Sequence, residues 1–176
     1  MLTPTPGSWT MPAEPCRGVT GRIEDRPDGG GPAVRVDVHL RWGDMDAYGH
    51  VNNVQVAAIL EEVRILAFGV PAGTGAAGAG APVNLLDGMP DSVQVLISEH
   101  RIRYRRPLEY RNVPVRAWVW VAAAKGASIE VAYSLRDGGD GTECVTASST
   151  MVFVDAATGR PVRLSEDQKH TLTHLA

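Results

Sequence analysis

Within residues 44–53 stand two carboxylates, Asp44 and Asp46, one imidazole, His50, and two amides, Asn52 and Asn53. These groups fall between an alternating apolar segment and a long helical pattern. A helix start presents backbone N–H groups without partners and a partial positive charge. Such a place stabilises an oxyanion as it develops. A carboxylate just upstream can act as a base or as a nucleophile. The residue types therefore fit attack on a carbonyl whose oxygen points at the helix.

Other readings of the same residues compete. The plainest is a helix entry with a capping cluster and solvated acids. A calcium loop matches Asp44, Asp46 and Gly49 at its first, third and sixth positions. It fails at Tyr48 and Gln55, which replace an oxygen ligand and the bidentate Glu. A zinc site from Asp44, Asp46 and His50 lacks both HExxH and cysteine spacing, and no metal is expected. Neither GxSxG nor GxxxxGK[ST] occurs.

The elements that must position this cluster are readable from periodicity. Val34, Val36, Val38 and Leu40 alternate with Arg35, Asp37, His39 and Arg41, which is the period of a half-buried strand. A helix is expected from about Asn52 or Asn53, either of which suits the N-cap. Val56, Ile59, Leu60, Val63, Ala67 and Val70 form its apolar stripe, with Asn53, Ala57, Glu61 and Arg64 on the other side. Gly69 and Pro71 end it. In residues 69–82, Gly, Ala and Pro fill 12 of 14 positions, which predicts a surface loop. Strands follow over 92–106, 113–123, 127–136 and 142–154, with turns at Lys125-Gly126, 137–141 and 155–159. The parity of apolar residues changes near Ser98-Glu99, which predicts a bulge. One strand, one long helix and a run of strands make an α+β domain with an antiparallel sheet packed on the helix.

Pro and Gly supply 12 of the first 32 residues, so 1–32 reads as a leader with one docked piece around 19–23 and the domain as 33–176. The net charge of −3 and pI near 5.9 argue against broad binding of nucleic acid or an anionic membrane. Two cysteines, Cys16 and Cys144, are too few for a disulfide scaffold, and reduced thiols in a cytoplasmic protein are expected. No apolar run approaches the roughly 20 residues of a membrane helix, and no signal peptide is evident.

The run from Arg41 to Asn53, Arg-Trp-Gly-Asp-Met-Asp-Ala-Tyr-Gly-His-Val-Asn-Asn, followed by Glu61-Glu62-Val63-Arg64, resembles the signature of hot-dog-fold acyl-CoA thioesterases of the 4-hydroxybenzoyl-CoA thioesterase-like group. Tyr104-Arg105-Arg106-Pro107-Leu108 resembles a strand end of that group. The stretch from Phe153 to Pro161 resembles its last strand and turn. The resemblance spans about residues 34–165. It implies a long helix wrapped by a curved antiparallel sheet of about five strands. It also implies homodimers or homotetramers with active sites at the dimer interface, an acyl-CoA substrate and no cofactor.

For individual residues, the resemblance implies Asp46 as the catalytic carboxylate and a backbone N–H near Asn53 as the oxyanion donor. Asp44 and Gly49 are expected to hold the turn, and His50 to bond within the junction or orient substrate. Glu61 is the second candidate carboxylate, or an ion-pair partner of a nearby Arg. Arg103, Arg105 and Arg106, on or beside a strand that also carries Arg101, and Lys125 at a turn are the candidates for coenzyme A phosphates. Val56 stands where the group often carries an aromatic residue. Carrier-protein thioesters, acyl-CoA binding without turnover, and a dehydratase are the alternative functions.

Overall fold

A computed structural model of the chain describes residues 21–69 and 81–174. Most of the expected leader, with Cys16, and nearly all of the Gly- and Ala-rich stretch lie outside the described residues. The elements in chain order are β1 (Arg22–Asp25), β2 (Pro32–Val38), a 3-10 turn (Trp42–Asp44), α1 (Asn53–Phe68), β3 (Val93–Tyr104), β4 (Val115–Lys125), β5 (Ser128–Arg136), β6 (Glu143–Asp155) and α2 (Glu166–His174). The strands form one sheet in the order β1-β2-β4-β5-β6-β3, with every neighbouring pair antiparallel. The hot-dog architecture expected from the sequence is present, with α1 against one face of the sheet.

The sheet has six strands, one more than expected. The additional strand, β1, lies inside the expected leader and pairs along β2 from Arg22 opposite Arg35 to Asp25 opposite Pro32. Gly29 and Gly31 take φ of +75° and +100°, angles that side chains with a Cβ resist, and so turn the chain back. Arg26 N–H donates to the Gly31 carbonyl at 2.9 Å and closes the turn. The Asp28-to-Pro32 run is therefore a hairpin turn rather than a boundary, and the sheet begins ahead of Ala33.

The second addition is α2. Ser165 opens it with a reciprocal capping box. Gln168 N–H donates to Ser165 Oγ at 3.1 Å, and the Ser165 N–H donates to Gln168 Oε1 at 2.9 Å. Leu172 anchors this helix in the core.

The apolar stripe of α1 is buried as its spacing predicts. Val56, Ile59, Leu60, Val63 and Ala67 pack with Val34 and Val36 of β2, Val119 of β4 and Val131 of β5. Val70 lies outside the described residues. Arg64, expected on the polar side, is instead buried. The β3–β6 register slips between Ile97 and Glu99, which is the expected bulge at Ser98. The slip keeps Val93, Val95 and Ile97 on the same side of the sheet as Ile102 and Tyr104.

The two edges of the sheet differ. β1 is four residues long and carries Arg22, Glu24 and Asp25. β3 is twelve residues long, and its outer edge has no partner among the described residues. Leu96, Ile97 and Tyr104 are exposed on it. Among the described residues no helix is long and apolar enough to cross a membrane.

Leu60 is fully buried where α1 meets the sheet. Leu60→Ala should lower the unfolding free energy by about 2–5 kcal/mol, through lost burial and the cavity left behind. Urea unfolding of both proteins checks this; a loss below about 1 kcal/mol would mean the helix–sheet seam is not the core.

Candidate active site

The junction between β2 and α1 is a tight, self-bonded loop. Asp44 is buried, and its Oδ2 accepts from the Arg41 N–H at 2.6 Å. The Asp44 carbonyl accepts from Asn52 N–H at 2.8 Å, which ties the start of the loop to its end. Asp44 thus holds the turn. Gly49 takes φ of +80°, where a Cβ would be strained. His50 and Glu109 form an isolated antiparallel bridge, and Val51 N–H donates to the Leu108 carbonyl at 2.7 Å. The loop is thereby fixed to the segment that follows β3.

Asp46 is held through one oxygen. Its Oδ1 accepts from the N–H groups of Tyr48 at 2.8 Å and His50 at 3.1 Å. Oδ2 accepts no bond among the described residues. Charge on Oδ1 is thus met by two amides, while the second oxygen is free to take a proton or attack.

The start of α1 stands beside it. Asn52 is the N-cap, and its side chain accepts from Val54 N–H at 3.0 Å. Val56 N–H donates to the Asn52 carbonyl at 3.1 Å. The N–H groups of Asn53 and Gln55 make no hydrogen bond among the described residues. Tyr104, near the end of β3, donates its hydroxyl to the Asn53 carbonyl at 3.1 Å and fixes strand to helix.

Asp46, His50, Asn52, Asn53, Val56, Tyr104, Arg105 and Arg106 line one cavity of about 420 Å³. The sequence-derived set divides around it. Asp46, His50, Asn53, Arg105 and Arg106 are brought together, and Val56 forms part of the wall. Arg105 is engaged by Glu143 at 3.2 Å and by Thr146. Arg106 makes no ion pair among the described residues. Arg103 is exposed on β3 and does not reach the cavity. Lys125 lies at the β4–β5 turn, opposite Ser128, which pairs with Val152 of β6. The cavity residue Val145 is seven positions back along β6, about 23 Å at the rise of a strand. Within one protomer Lys125 therefore stands at the other end of the sheet.

Glu61 lies two turns along α1 and is exposed, with no ion pair to Arg among the described residues. It borders a second cavity with Arg64. Nearby, His100 Nδ1 lies 2.8 Å from Ser149 Oγ. Burial first, and then the Arg64 charge, push the His100 imidazole below its ordinary value, against the pull of Glu61. Burial pushes the Tyr133 hydroxyl up, opposed by the Arg64 charge beside it. The sequence assigns Tyr104 no role at the helix start, and it does not bring His100, Tyr133 and Ser149 together with Glu61 and Arg64. Period alone assigns Arg64 to the solvent side, and nothing local signals that β3 and β6 cover it. Among the described residues, no three of His, Cys, Asp and Glu stand close enough to hold a metal ion.

Known proteins agree with this architecture. The YsmA protein of Bacillus subtilis (strain 168) is 27% identical over 137 residues, covering 78% of this chain and 83% of its own. PA5185 of Pseudomonas aeruginosa superposes with a TM-score of 0.61 at 23% identity, over 80% of this chain and 90% of that one. A thioesterase from Thermus thermophilus, solved with coenzyme A and Zn, gives a TM-score of 0.60 at 22% identity, over 80% and 92%. A DHNA-CoA thioesterase from Staphylococcus aureus gives 0.57 at 15% identity, over 74% and 79%. The family model described as Thioesterase-like superfamily matches residues 40–172, a span that holds the Asp46 loop, the capped helix and every strand from β3 to β6. On that match the chain belongs to the thioesterase-like superfamily.

Proposed function

We propose that this protein hydrolyses acyl-coenzyme A thioesters to a free acid and coenzyme A. The observation that carries the reading is a single cavity lined both by Asp46, one of whose carboxylate oxygens accepts no hydrogen bond among the described residues, and by Asn53, whose N–H at the start of α1 is unpaired among them. The thioester carbonyl oxygen would lie against the Asn53 and Gln55 N–H groups. Their partial charge, added to that of the helix, stabilises the negative oxygen of the tetrahedral intermediate.

Two routes use Asp46. As a base, it draws a proton from water while the water oxygen bonds to the carbonyl carbon. As a nucleophile, its own oxygen forms that bond and water later opens the mixed anhydride. In both, the carbon–sulfur bond breaks and coenzyme A leaves as its thiolate, which takes up a proton. In either route the two bonds to Oδ1 hold the carboxylate and leave its other oxygen available for reaction.

Arg106 and Arg105 line the cavity and suit the phosphates of coenzyme A. Arg106 carries the greater weight because Arg105 already serves Glu143. His50, also in the lining, orients the bound thioester. Val56 makes its part of the wall aliphatic, and the Tyr104 bond to Asn53 keeps the oxyanion donors in place.

The test is a thiol-release screen over short, long and aromatic acyl-CoA thioesters, with matched carrier-protein thioesters beside them. Asp46→Asn keeps an oxygen for both loop amides and so should fold normally, while kcat falls by about 10²–10⁴. Full activity in Asp46→Asn, or no release from any acyl-CoA, would end this reading. Arg106→Ala should raise KM about tenfold with kcat little changed, and added salt should shrink that difference. An equal loss in kcat and kcat/KM would instead place Arg106 at the reacting centre.

A further inference from the structure

We propose that Arg64 reads a carboxylate at the far end of the acyl chain, so that the preferred substrates are ω-carboxyacyl thioesters. The inference rests on the thioesterase reading above and adds the class of acyl group.

Arg64 is 8% exposed. A guanidinium does not deprotonate in proteins, and a buried charge is unfavourable unless it is paired. The side-chain bond of Arg64 to Tyr133 is a long one, from Nη1 to the hydroxyl at 3.3 Å. No carboxylate among the described residues lies within 4.0 Å of it. The neighbouring segment 70–80 carries no acidic side chain at all. The fork of donors on Arg64 matches a carboxylate in two-point contact.

There is room for one. Arg64 borders a cavity of about 150 Å³ whose other walls include Phe68, Val95, Ile97 and Met151. The lining is apolar apart from Arg64 and the exposed Glu61 and Asn84, and Arg64 is its one cation, which suits the end of a hydrocarbon chain that carries a charge. His100, shifted toward its neutral form, leaves Arg64 as the permanent cation there. Glu61 stands on the same row but is exposed, where water and salt screen it.

The position relative to the reacting centre is also suitable. Asn53, Ala57, Glu61 and Arg64 follow one helical row, so the oxyanion donor and the guanidinium share a face of α1. Eleven residues separate them, about 16 Å at the helical rise, and helical side chains lean back toward the N-terminus. Asn53 lines the first cavity, Glu61 and Arg64 line the second, and the small Ala57 stands on the row between them. The separation selects a chain of one intermediate length.

The test compares kcat/KM on two chain-length series of coenzyme A thioesters, one fatty acyl and one ω-carboxyacyl. The wild type should favour the carboxylate by about thirtyfold or more at its best length, the scale for one partner of a buried charge pair. Arg64→Met should bring that ratio to about one, and Arg64→Lys should retain part of it, having charge without the fork. A wild-type ratio near one, or a ratio that Arg64→Met leaves intact, overturns the proposal. So does sedimentation showing that Arg64→Met separates subunits while the ratio persists, which would make the charge a contact between copies. If neither series is cleaved, the thioesterase reading fails by itself. Calorimetric binding of the two intact series to the wild type then decides Arg64: tighter binding of the carboxylate series upholds it, and equal binding sinks it.

Discussion

Two backbone N–H groups on one carboxylate oxygen set the geometry of the junction. Because Tyr48 and His50 both donate to Asp46 Oδ1, the side chain cannot swing into solvent without leaving two amides unpaired. The same bonds require the left-handed Gly49 and a closed loop. The loop closes through the Asp44 carbonyl and Asn52 N–H, and Asn52 is itself the helix cap. Carboxylate, turn and helix start are therefore one mechanical unit. A change in any of them moves the carboxylate relative to the unpaired amides.

The sheet holds that unit from outside. Tyr104 reaches the first residue of α1, and the segment after β3 supplies the carbonyl that pairs with Val51. Both supports come from the strand end that follows the Ser98 bulge, so the extra residue in β3 determines which side chains face the helix. The strongly apolar stripe of α1 presses the helix onto the other strands and leaves its Asn53–Arg64 row along β3. Hydrophobic burial fixes the helix, and the row then lines a cavity at each end, through Asn53 at one and through Glu61 and Arg64 at the other.

Features with a short-range signal were readable from the sequence. The N-cap, the glycine at the helix end, the bulge and the hairpin turns depend on a few adjacent residues, and each stands at its expected place. The Asp46 loop was readable for the same reason, since its bonds span only a few positions. β1 was read only as part of a docked piece around 19–23, because its evidence is a turn that also resembles a linker; only pairing with β2 makes it a strand. The second helix carried its signal in plain sight, since Ser165 and Gln168 form a capping box, but its low apolar content hid it. The burial of Arg64 depends on Tyr133, sixty-nine residues away, and no local pattern contains that distance. For the same reason spacing could not tell that Lys125 and the Asp46 loop lie at opposite ends of the sheet.

The unequal edges of the sheet bear on how copies of the chain can meet. A long outer strand whose edge is unpaired among the described residues, with exposed Leu96 and Ile97, is a template for another strand. The opposite edge is short and charged, which discourages such addition. If β3 joins β3 across a two-fold axis, the open template on each molecule is consumed at once. What remains outward on both sides is a blunt, charged rim, so the assembly closes and has no means of growing into a fibre.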